Sequence, residues 1–187
     1  MVDSIFPLTL VGCIVLVPVG IGCLIRCRGK NHRRLVWAAA VFLGALALLF
    51  GGEILLGFFG LTWRSRAMLI LCGTLLASGW VGIGFTLACA LPMEMPNLPE
   101  AMRWVAKATT VFFAAVVFLV TLCFGPLALV LIFDNEERVV EYQGQTLLEV
   151  DDGFMDLHYS CYEYHGPLVR GTERIYEGPT HIYGDMG

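Results

Sequence analysis

Charge is scarce in this chain and unevenly placed. Only 15% of its 187 residues are charged, whereas a soluble globular domain carries about 25%. The charges gather at Arg26–Arg34, at Arg64 and Arg66, between Glu94 and Lys107, and after Asp134. The stretches between them are nearly charge-free, which is the pattern of membrane spans rather than of a greasy soluble core.

Several chemical signatures are missing too. Seven cysteines occur without a Cys-x-x-Cys pair, so no zinc or redox motif is present. Cys13, Cys23, Cys72, Cys89 and Cys123 lie in or at the ends of apolar runs, where a thiol acts as a small hydrophobe. Cys27 sits at the first membrane edge, one turn from Cys23, and Cys161 alone lies in the polar tail, which argues against a disulfide framework. No basic face with aromatic or polar readers exists, so nucleic acid is not an expected partner. No phosphate loop, nucleophile–base pair or paired-acid motif occurs. The chain is therefore expected to be no enzyme and to hold no cofactor or metal. The start, Met1-Val2-Asp3-Ser4, has no Lys or Arg. The apolar run after it is expected to be a retained span rather than a cleaved signal peptide.

Long apolar runs are what the chain does have: Ile5–Ile25, Leu35–Phe59, Ala67–Leu91 and Val111–Phe133. Each is about long enough to cross a hydrocarbon core roughly 30 Å thick. The predicted fold class is membrane α-helical. Four transmembrane helices fill residues 1–133, and a small C-terminal antiparallel β tail fills 134–187.

Orientation follows from the basic residues. Loop one carries Arg26, Arg28, Lys30, Arg33 and Arg34, and loop three adds Arg103 and Lys107. The other side has Arg64, Arg66 and Arg138. Seven against three favours loops one and three in the cytoplasm and both termini outside. Trp37, Trp63 and Trp104 sit near span ends, where such rings favour the headgroup layer. Pro92-Met-Glu-Met-Pro-Asn-Leu-Pro99 reads as a stiff turn, and Glu100–Thr110 as a short helix entering span four. Pro18 and Gly125-Pro126 are candidate kinks. Gly73 and Ala77, with Gly44 and Ala47 as a weaker pair, are candidate close contacts between helices, within the bundle or between two copies.

One carboxylate, Glu53, lies within an apolar run. An ionised carboxylate is costly in hydrocarbon, so such a residue is by default a functional-site candidate, here as a proton or cation ligand. The competing reading ends the span near Gly52 and leaves Glu53 at the outer interface, within reach of Arg64 and Arg66. The only other polar side chains in the spans are hydroxyls, which make a poor relay.

After Phe133 the pattern turns strand-like. Arg138–Tyr142 and Gln145–Val150 flank the hairpin turn Gln143-Gly144. Asp151-Asp152-Gly153 is a second turn and Phe154–Tyr164 a long strand, with Met155, Leu157, Tyr159 and Cys161 on one face. Leu168–Arg170 and Glu173–Tyr176 read as a last pair around Gly171. His158, Cys161 and His165 have a zinc-like spacing. On a strand, however, His158 points away from the other two, so no metal site is expected. A sheet this small is marginal alone and needs the membrane-side loops, a second copy or a partner to lean on.

Four stretches of the tail are distinctive. They are Arg138-Val-Val-Glu-Tyr142, Asp152-Gly-Phe-Met-Asp-Leu-His-Tyr-Ser-Cys-Tyr-Glu-Tyr164, Gly166-Pro-Leu-Val-Arg-Gly171 and Arg174-Ile-Tyr-Glu-Gly178-Pro179. In order and spacing the tail resembles the C-terminal part of small Firmicutes multi-pass membrane proteins of uncharacterised function, which have a short aromatic-rich, strand-forming tail. The resemblance covers about 45 residues. It implies a bacterial plasma membrane and supplies no activity and no site. The expected role is a non-enzymatic interaction or accessory subunit. It would be embedded in the lipid bilayer and associate with a protein partner or itself through the tail. The alternative is a small transporter or channel subunit using Glu53.

Overall fold

The structure is a computed structural model that describes residues 2–26, 30–92, 99–133, 135–151 and 158–179. Four helices come in order, α1 (Val2–Arg26), α2 (Lys30–Phe58), α3 (Ser65–Ala90) and α4 (Glu100–Phe133). A short strand, β1 (Leu61–Trp63), separates α2 from α3. Four strands follow α4: β2 (Glu137–Tyr142), β3 (Gln145–Asp151), β4 (Tyr159–Tyr164) and β5 (Val169–Gly178). The chain is thus mostly helical with a C-terminal antiparallel sheet.

Three helical stretches, Lys30–Phe58, Ser65–Ala90 and Glu100–Val130, are long and apolar enough to cross a membrane. Of their most apolar parts only 17%, 6% and 11% is buried within the protein. Side chains such as Leu43, Val81 and Leu119 face outward. Apolar surface on this scale is expected where the solvent is lipid rather than water. The fourth expected span falls in α1, whose described apolar stretch is Val11–Arg26. Two boundaries move. Lys30, Arg33 and Arg34 belong to the first turns of α2 rather than to a loop. Glu100–Thr110 is continuous with span four in one helix of 34 residues, about 51 Å long at a rise of about 1.5 Å per residue.

The contacts divide the chain into two compact units, Met1–Gly44 with Thr74–Leu127, and Ala45–Gly73 with Ala128–Gly187. In the first, helices meet where side chains are small. A Cβ added at Gly12 of α1 would lie 2.7 Å from Val117 Cγ2 of α4, and one at Gly125 of α4 would lie 2.9 Å from Leu76 Cδ2 of α3. Cys23, Leu35, Cys89 and Ala90 form a buried cluster. Trp80 Nε1 donates to Thr121 Oγ1 at 2.9 Å, and its ring meets Phe118 edge-on. Within the chain, Gly73 and Ala77 make no close helix contact among the described residues. Nothing lies within 4 Å of a Cβ at Gly73 or Gly44, and Ala77 is exposed. The side of α3 that packs inward carries Leu76 and Gly79 instead.

The second unit holds a five-stranded sheet in the order β1-β5-β4-β3-β2. Gln143 and Gly144 have φ of 51° and 80°, the left-handed pair that a two-residue hairpin between β2 and β3 requires. The expected hairpin is therefore present. Strand β3, between β4 and the edge strand β2, is buried on both faces. Leu147 packs with Val140 and Cys161 on one, and Leu148 and Val150 with Tyr162 on the other.

Two features depart from expectation. Val169–Arg170 and Glu173–Tyr176 do not turn back on each other, but belong to the continuous ten-residue β5, with Leu168 just before it. Gly171 is there for close approach, since a Cβ on it would sit 3.2 Å from Glu163 Cβ on the neighbouring strand. The sheet also recruits β1, whose Leu61, Thr62 and Trp63 pair antiparallel with Gly171, Arg170 and Val169. The Asp152-Gly153 turn, the Phe154–Leu157 start of the long strand, Cys27 and the Met93–Leu98 part of the proline turn lie outside the described residues.

Candidate functional site

Arg64 is one point at which the sheet is fastened to the helices. Its carbonyl accepts the first hydrogen bond of α3, from Met68 N at 3.0 Å, so it stands at the helix N-cap. Its own N–H donates to Leu168 O at 2.9 Å. The guanidinium donates from Nε to Glu137 Oε2 at 2.8 Å, and Nη2 lies 2.8 Å from the same oxygen in the ion pair. Nη1 donates to Gly166 O at 3.2 Å, and the group lies over the Tyr164 ring. Glu137 uses its second oxygen to accept from Ser65 N at 2.9 Å. Its carboxylate thus caps α3, where the helix dipole favours negative charge.

The Arg64 side chain is 8% exposed and that of Glu137 0%. A buried pair repays its desolvation only if its remaining donors and acceptors are satisfied. Here both carboxylate oxygens and all three guanidinium nitrogens are used.

A second tie holds β1 against α2. The Trp63 indole fills the space beside Gly52, where a Cβ would come within 2.5 Å of Cζ2. Thr172 donates from both N–H and Oγ1 to Gly60 O, at 2.9 and 3.0 Å.

Glu53 sits beside this tie. It is exposed on α2 and accepts a hydrogen bond on Oε1 from Thr62 Oγ1 of β1 at 2.9 Å. Arg64 turns to Glu137 rather than to Glu53. Arg66 is exposed and makes no ion pair among the described residues. Glu53 therefore meets a hydroxyl on a strand and no guanidinium. The second carboxylate that matters, Glu137, carried no sequence signal beyond its place at a strand start, since its partner is 73 residues away.

The zinc-spaced residues part company. His158 Nε2 pairs with Glu177 Oε1 at 2.9 Å, and His165 Nε2 with Glu163 Oε2 at 3.2 Å. Cys161 is fully buried, directly across from Glu149. Burial, with Glu149 adding to it, pushes the thiol up to about 11. Among the described residues no three metal-binding side chains gather. Glu177 is held below the ordinary carboxylate range, first by its hydrogen bond from Arg174 and then by that from His158.

The outer edge of β2 is unpaired among the described residues, while β3 occupies its other side. Val139 and Tyr142 are exposed on this strand.

The first unit holds a cavity of about 710 Å³ lined by all four helices, among them Leu16, Phe42, Gly79 and Ile83. Three of its polar groups have partners within the protein. Ser78 Oγ donates to Thr74 O at 2.7 Å, Trp80 to Thr121, and Thr121 Oγ1 to Val117 O at 2.7 Å. Its lining is almost wholly apolar.

Comparison with protein-family models, curated proteins and solved structures finds no match.

Proposed function

We propose that the chain is a multi-pass protein of a bacterial plasma membrane. Its C-terminal sheet is an extracytoplasmic docking module, and the whole is a non-enzymatic interaction or accessory subunit. The observation that carries this reading is the edge of β2, unpaired among the described residues, on a sheet tied to the helix ends through Arg64 and Glu137. A rigid platform with a free strand edge offers backbone donors and acceptors to a partner strand. Arg138, exposed on that strand, discourages indiscriminate pairing.

A transport role for Glu53 draws less support, because that carboxylate is exposed and the helix-lined cavity is apolar.

The test is site-specific photo-cross-linking in intact membranes from Val139 and Tyr142. A discrete protein adduct from β2, absent when Val139→Pro breaks the edge, is the expected result. Lipid adducts alone from every β2 position would remove the docking reading.

A further inference from the structure

A second, smaller pocket of about 260 Å³ lies where the end of α1, the end of α3 and the first third of α4 converge. Its rim carries Arg26 of α1 and Lys107 of α4. Its wall is apolar, with Val19, Cys23, Ala90 and Ala106 among its residues. Among the described residues neither cation makes an ion pair or a side-chain hydrogen bond. Thr110, the remaining polar residue, gives its proton to Ala106 O at 2.9 Å and has none left for a ligand. Two helices end here, each bringing about half a negative charge. Two full positive charges outweigh them and leave a net attraction for an anion.

We propose that this pocket binds the phosphate headgroup of an anionic membrane lipid. Arg26 and Lys107 would hold the phosphate, and the apolar wall would take the start of its chains. Cations above an apolar wall match a molecule that is anionic at one end and hydrocarbon at the other. A soluble phosphate would leave that wall uncovered. Basic pockets between helices on the cytoplasmic side are a known setting for such headgroups. The inference rests on the membrane reading proposed above.

The test uses the full chain, purified in mild detergent and stripped of lipid. Native mass spectrometry follows the retention of added phosphatidylglycerol against phosphatidylcholine, with and without inorganic phosphate. Wild type is expected to keep phosphatidylglycerol selectively, with phosphate a poor competitor. Replacing both cations in Arg26→Gln with Lys107→Gln is expected to weaken retention about 30-fold, since a lysine or arginine near an anionic headgroup is worth about a factor of 5. Arg26→Lys should rescue most of it.

Gly22→Leu keeps both charges but fills the pocket. Nothing lies within 4 Å of a Cβ at Gly22, so the backbone tolerates the change, and retention should fall. Lys30→Gln with Arg33→Gln removes two cations outside the pocket and should change nothing. Equal retention of the two lipids, wild-type retention by the Arg26/Lys107 variant, or displacement by inorganic phosphate at equal affinity would overturn the proposal. Alkaline extraction of cell membranes separates the two failures. A chain that washes off defeats the membrane reading itself, and a chain that stays without lipid preference defeats only this site.

Discussion

Arg64 is the residue on which the second unit depends most. Removing its side chain leaves the Glu137 carboxylate buried with one backbone donor for company. Breaking a buried pair in this way costs about 3–5 kcal/mol. Arg64→Ala is therefore expected to lower the unfolding free energy of the sheet by about that amount, read by the loss of far-ultraviolet strand signal on heating. The double replacement Arg64→Met with Glu137→Leu should be less damaging than Arg64→Ala, because no lone charge remains. A double variant as unstable as the sum of two singles would mean the pair is not coupled.

Cys161 offers a milder probe. With its pKa pushed from 9.0 up to about 11, its thiolate at neutral pH is about a hundredfold scarcer than for an ordinary thiol, and the thiolate is the reactive form. Cys161 should resist N-ethylmaleimide in the folded chain and react on denaturation. Rapid labelling of the native protein would show that β4 is not buried. Glu177 sets the pH behaviour of the β4–β5 end. Its pKa is lowered by folding, so its contribution is complete above the ordinary carboxylate range. That contribution is lost as pH falls through the lowered value. The group is exposed and screened by solvent. The protection of the Tyr176 and Glu177 amides, corrected for the intrinsic exchange rate, should therefore fall as pH is lowered through the carboxylate range while the rest of the sheet stays protected.

At the scale of elements, sequence and structure agree wherever a pattern is long or a turn has distinctive chemistry. Apolar runs of more than 20 residues cannot be mistaken. The Gln143-Gly144 turn announces its hairpin, because few residues accept two left-handed positions in succession. β1 was not legible. Three residues at the end of an apolar run have no periodicity to read, and Leu61–Trp63 becomes a strand only because β5 passes alongside. Gly171 misled for a related reason. A glycine marks a turn or a close approach equally well, and only the neighbouring strand decides which.

The candidate site shows the same limit. Glu53 stood out as a lone charge among apolar residues, whereas Glu137 was one acidic residue among many, and its pairing with Arg64 is set by the tertiary fold alone. Gly52 tests the β1 tie directly. Ala in its place would drive Cβ into the Trp63 ring, at an overpacking cost of about 1–3 kcal/mol. The expected sign is a red-shifted Trp emission with loosened β1 amides and unchanged helix content. An unaltered spectrum would mean that Trp63 does not rest on α2.

For the whole molecule, the consequence of β1 is topological. A loop strand and a C-terminal strand that share one sheet must share one side of a bilayer, whatever the orientation of the rest. If α2, α3 and α4 each cross once, Arg66 and Val139 stand together, and the basic start of α2 stands across from them. Deleting Arg138–Gly187 is therefore a poor test of the tail, because it also strips β1 of its paired strand. Single cysteines placed at Arg66, Val139 and Arg33 in a cysteine-free background report the same arrangement without dismantling it. In intact cells a membrane-impermeant maleimide should label Arg66→Cys and Val139→Cys alike, and Arg33→Cys only after permeabilisation. Labelling of Arg66→Cys and Val139→Cys from opposite sides would contradict the β1–β5 pairing itself. Labelling of Arg33→Cys alone in intact cells would keep the sheet but reverse the chain. That would move the docking edge of β2 into the cytoplasm and the Arg26–Lys107 pocket to the outer leaflet.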